Sequence, residues 1–148
     1  MRKKIIIGIA VAVLIVVAAF GVLVGAAVYG WKAAQRAGNE AATTQNLKTI
    51  AAVENQYFNM HNRTFATFDQ LVKEQMLTSK FAGNPVIVDD YVLILNVNTD
   101  RAKPSYVITA DPQSDSSGRI HFYLDSRSEI IRANPDRHAS ADDSPFDK

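Results

Sequence analysis

The sequence predicts an α+β fold in which one long N-terminal helix, with a membrane half and an amphipathic half, packs on a small antiparallel β-meander of three to four strands. Three observations predict it: an uncharged apolar run over residues 5–28, an apolar stripe at helical spacing over residues 47–58, and period-two alternation in the last third. The hydrophobic content of 47% would suit an ordinary globular chain. Its crowding into one N-terminal block divides the chain into regions with different tasks.

The apolar run comes first. At about 1.5 Å rise per residue it is long enough to cross a hydrocarbon core of about 30 Å. Arg2, Lys3 and Lys4 precede it, while Lys32 and Arg36 follow with Glu40 close behind, so the basic excess favours a cytoplasmic N-terminus. The expected layout is a cytoplasmic start at 1–4, a transmembrane helix at 5–30, an extracytoplasmic α+β domain at 31–134 and a mobile polar tail at 135–148. Tyr29 and Trp31 stand where aromatic rings with one wet end mark a membrane interface. A removed secretory signal, with Gly25, Ala26 and Ala27 near its cleavage point, is the competing expectation, but the run exceeds a signal core of about 7–15 residues. Gly21 and Gly25 form a GxxxG, a spacing through which two helices approach closely.

Of the 16 basic residues, three precede the apolar run, which leaves 13 against 15 acidic ones in the outer region. That balance excludes a nucleic-acid footprint. The chain has no cysteine, so the outer domain is stabilised by packing without disulfides.

Beyond Val28 the sequence stays rich in Ala, Gln, Glu and Lys with no proline, and one helix is expected to about Phe58. On a wheel, Leu47, Ile50, Ala51, Val53, Tyr57 and Phe58 share one face, with Lys48, Thr49, Asn55, Gln56 and Asn59 opposite. Glu54 sits inside the apolar face. A carboxylate there needs a partner, and an ion pair with Arg63 competes with escape at the rim of the domain.

A second helix is expected over residues 67–77, with Thr67 and Gln70 in a capping-box pattern and Phe68, Leu71, Val72 and Met76 facing inward. Gly83-Asn84-Pro85 then breaks the helical part. Alternation marks strands at 91–97, 105–110 and 120–124, whose inward sets are Tyr91, Leu93, Leu95 and Val97, then Tyr106, Ile108 and Ala110, then Ile120, Phe122 and Leu124. Asp125-Ser126-Arg127-Ser128 can return a short fourth strand at 129–132. From Asn134-Pro135 on, Asp, Ser and Ala dominate.

Basic start, long apolar helix running into an amphipathic half, short helical segment and terminal meander together resemble the layout of type IV pilins and type II secretion pseudopilins. The wording is similar over nearly the whole chain, in AGNEAATTQNLKTIAAVENQYFNM, FATFDQLVKEQML, YVLILNV, SYVITADP and RIHFYLDSRSEIIR. The resemblance implies a bacterial inner-membrane protein with a periplasmic or extracellular domain, a non-enzymatic subunit of a pilus or secretion-type filament that forms homo- or hetero-oligomers through its N-terminal helix. It also places a processing junction at Gly8 and Ile9. The family's Glu five positions into the mature chain is replaced here by Val13, a departure that bears on both processing and filament assembly. A monomeric membrane-tethered periplasmic binding or scaffolding module is the alternative.

The residues suggest no cofactor, no metal and no small-molecule substrate. Asp111, Asp115 and Gly118 in DPQSDSSG match no calcium-loop spacing and read as turn chemistry. His61, His121 and His138 are scattered through the sequence with no ligand spacing among them, and no catalytic motif is present.

Overall fold

The computed structural model describes the backbone of residues 2–146 and the side chains from Val22 onward, Leu23 and Ala26 excepted. It divides the chain into two compact units, Met1–Gln35 and Arg36–Lys148. A single helix, α1 (Arg2–Met60), supplies the first unit and opens the second. Gly8, Ile9, Val13 and Gly21, on which the processing junction, the missing Glu and half of the GxxxG rest, lie outside the described side chains.

The membrane half of the expected fold is corrected, and with it the single-pass inner-membrane placement. Among the described residues no helix is long and apolar enough to cross a membrane. In that part of α1 the apolar positions end at Trp31, and Lys32, Arg36 and Glu40 follow too soon for a span.

Within the second unit the amphipathic half of α1 behaves as its stripe requires. Leu47, Ile50, Ala51 and Tyr57 are buried and join strand residues in one hydrophobic cluster. The helix stops where Asn62 and Arg63 adopt left-handed φ values of 51° and 60°, and the Arg63 N–H donates to the Phe58 carbonyl at 3.0 Å. Helix α2 (Phe68–Lys73) begins with both hydrogen bonds of the capping box: Thr67 Oγ1 accepts from the Gln70 N–H, and Gln70 Oε1 accepts from the Thr67 N–H at 2.8 Å. It is shorter than expected because the left-handed Gln75 ends it, and a 3₁₀ turn (Ser79–Phe81) follows.

The sheet has five strands rather than three or four: β1 (Val86–Val88), β2 (Tyr91–Asn98), β3 (Ser105–Pro112), β4 (His121–Asp125) and β5 (Arg132–Asn134), antiparallel and adjacent in sequence order. Strand β1 is the addition. It joins β2 through Asp89 and Asp90, whose φ values of 52° and 61° fit a two-residue primed turn. The final strand lies at 132–134 instead of 129–132, because Asp125 Oδ1 accepts the N–H groups of Arg127 and Ser128, both at 2.9 Å, and prolongs the turn.

Tyr91, Leu93, Tyr106, Ile108, Ala110, Phe122 and Leu124 form the buried face of the sheet, as the alternation implies. The polar C-terminal segment is packed, not free. Ala139 is buried, Phe146 meets Phe122 edge-on at 5.1 Å, and Arg132 bridges to Pro145. Asp143 organises it by accepting from Asn134 Nδ2 (2.7 Å), Arg137 Nη2 (2.8 Å) and the Ser140 N–H (2.8 Å). These contacts hold the Asp143 carboxyl down to about 2, with the Asn134 bond first among the causes.

Candidate metal centre

The strand register decides which polar side chains meet. On β3 and β4 the pairs Ile108–Leu124 and Ala110–Phe122 are buried, so Asp111 and His121, one step further along the same ladder, face the opposite side of the sheet. They stand across from one another there. His121 Nδ1 lies 2.5 Å from Asp111 Oδ1. The C-terminal segment then delivers His138, whose Nδ1 lies 2.8 Å from the same oxygen. The two imidazole rings meet edge to face at 5.4 Å.

One ligand atom from each of these three residues lies within 4.8 Å of the others. The Asp111 and His121 side chains are 16% and 22% exposed and thus fixed by the sheet, whereas His138 is 82% exposed. When both rings carry Nδ1–H, the carboxylate accepts from each and the cluster is a hydrogen-bonded clamp. When the nitrogens are bare, the same atoms are two imidazole ligands and one carboxylate ligand converging on a point. An open pocket of about 380 Å³ borders His121, between Pro112, Asp115, Gly118, Arg119, Pro135 and Asp136.

The scattering of the three histidines in sequence therefore misleads for two of them. His121 and His138 are joined by Asp111, because a β-hairpin and a returning chain end bring distant positions together. Only the register carried that signal: Asp111 and His121 are ten residues apart around the β3–β4 turn. His61 stays apart, stacked on Tyr57 at 3.8 Å with Nε2 3.1 Å from Glu74.

Other expected sites fall differently. Glu54 is wholly buried, neither paired with Arg63 nor turned out at the rim. Its Oε2 accepts the Ala66 N–H at 2.9 Å, and Oε1 has no partner among the described residues. Burial pushes its carboxyl up to about 7 against the opposing Ala66 hydrogen bond. Arg63 instead lies over the Phe58 ring, 5.5 Å from its centroid. Gly118 serves packing: a Cβ there would stand 2.0 Å from the Tyr91 hydroxyl oxygen. Asp115 contributes its backbone carbonyl, which accepts from Arg36 at 3.4 Å. Tyr29 and Trp31 are exposed on α1, and their assignment to a membrane interface falls with the corrected span. Gly25 has open space around it.

No family model matches the chain, and no curated protein or solved structure is significantly similar to it.

Proposed function

We propose that this protein is a pilin-like structural subunit that acts by assembly, with α1 as the element that joins copies and the α+β unit as the surface they present. The observation that carries this reading is the state of α1 ahead of Arg36. Val22, Val24, Tyr29 and Trp31 are each more than half exposed there, and Val28 is 48% exposed. Side chains of that size in a row favour a covered environment. Further along, the helix stripe that covers the sheet is already used by Leu47, Ile50 and Tyr57. The occupant proposed for residues 22–31 is the same stretch of another copy, which open space around Gly25 would let approach closely. The reading requires no catalytic chemistry, and the resemblance to pilins and pseudopilins supports it.

The absence of cysteine makes the test simple. A single Val24→Cys in the full chain, mildly oxidised, should yield a disulfide-linked dimer, whereas Lys73→Cys on exposed α2 should yield little. Sheared surface fractions should contain the protein in sedimenting filaments. A chain that remains monomeric at all concentrations, with no cross-link at position 24, would reject assembly in favour of a module that works singly.

A further inference from the structure

We propose that Asp111, His121 and His138 bind one divalent transition cation of the Zn²⁺ class, and that the ion ties the C-terminal segment to the sheet. The donor set sets the class. Hard cations such as Ca²⁺ and Mg²⁺ take oxygen ligands, whereas two imidazole nitrogens with one carboxylate oxygen suit Zn²⁺ and its neighbours. Three protein ligands and one open position is a recurring arrangement for such ions.

The geometry supports the assignment in three ways. Both Nδ1 atoms converge on one oxygen, at 2.5 and 2.8 Å. Donors around a tetrahedral cation with bonds of about 2.0–2.1 Å stand roughly 3.3 Å apart, so each histidine–Asp111 pair needs to open by less than about 1 Å, while all three ligand atoms already lie within 4.8 Å of one another. The adjustment costs least at His138, whose side chain is 82% exposed and lies outside the strands, while β3 and β4 hold the other two ligands. An open pocket borders His121.

The fold has no other evident need for the cluster. Asp143, the Arg132–Pro145 bridge and the Phe146–Phe122 contact already secure the segment. In sequence His138 lies between the strand β5 and the anchors at Asp143, Pro145 and Phe146, and its ring reaches Asp111. A cation there would join β3, β4 and the segment in a single staple.

The test is a Zn²⁺ titration of the purified full chain by calorimetry, with Co²⁺ absorption as a readout of tetrahedral nitrogen and oxygen coordination. One equivalent should bind in the micromolar range and raise the thermal midpoint. Asp111→Asn, His121→Ala and His138→Ala should each weaken binding at least about tenfold, while His61→Ala leaves it unchanged. The proposal is overturned by a lack of one-to-one binding below roughly 100 µM, or by a loss smaller than tenfold in His138→Ala, the exposed variant that leaves the fold intact. In the latter case the cluster is a hydrogen-bonded clamp only.

Discussion

Two buried residues in this protein act by different means, Glu54 through its proton and Gly118 through space. Glu54 is held in the core by one backbone N–H, and the burial of its carboxyl raises its affinity for a proton to about pH 7 from an ordinary 4.5. Tyr57 on its own helix and Tyr106 on β3 are among the groups near it, and the Tyr106 hydroxyl is likewise buried without a hydrogen-bond partner among the described residues. Because the folded chain keeps the proton that the unfolded chain has already released, the sign is fixed. The contribution is full below about pH 4.5 and falls by about 1.4 kcal/mol per pH unit as pH rises to about 7, roughly 3 kcal/mol in all. Glu54→Gln stays neutral and can still accept from Ala66, so urea unfolding at pH 5, 6 and 7 should show a flatter stability profile than the parent. An unchanged profile would mean that another group carries the dependence. Gly118 acts through space instead of charge. Tyr91 is fully buried and donates to the Ile120 carbonyl at 2.9 Å, so it has no room to retreat from a new methyl group. Gly118→Ala should cost about 1–3 kcal/mol in the same assay, and a neutral result would show that the 114–119 loop yields easily. The apolar periodicity located Glu54 and marked it as anomalous. Its partner was not visible, because a backbone N–H twelve residues away leaves no trace in side-chain pattern.

Among the elements, those that follow strong local rules matched the sequence closely. The capping box at Thr67 is one, and Thr67→Ala should lower stability by about 1 kcal/mol through loss of the helix cap, as followed by thermal melting. Strands β2, β3 and β4 are another, since alternation runs over each of them, backed by β-branched residues in β2 and β3 and by Phe122 and Tyr123 in β4. Strand β1 escaped notice because three residues are too few to show a period, and its turn uses Asp-Asp where glycine is the usual sign. The C-terminal segment escaped for a different reason. Its polarity is spent on a specific network around Asp143, and composition cannot tell a solvated Asp from one that accepts several hydrogen bonds. Asp143→Asn should therefore loosen residues 135–146, giving faster amide exchange there and little change in β2 and β3. Since the Asp143 carboxyl is held down to about 2, its contribution persists above the ordinary carboxylate range and is lost as pH falls toward 2. Uniform exchange across parent and variant would remove Asp143 from that role.

For the molecule as a whole, the two units pose separate questions. The unit Arg36–Lys148 contains a complete core in which α1, α2 and five strands share one apolar cluster. The unit Met1–Gln35 offers exposed Val22, Val24 and Val28. Replacing Val24 and Val28 with Asp should abolish the proposed assembly in sedimentation while leaving the thermal transition of the α+β unit in place. Retention of assembly in that variant would move the joining surface elsewhere. The division of labour between sequence and tertiary structure follows from range. Periodicity, capping and turn chemistry act over a few residues, so the amphipathic half of α1, the cap at Thr67 and the inward faces of three strands were determined by the sequence itself. Strand register, the return of the chain end and the depth of burial depend on contacts between positions far apart. Only the tertiary structure could decide that Glu54 has no ionic partner among the described residues, or bring Asp111, His121 and His138 together, because there the chain must close loops before any of those groups can meet.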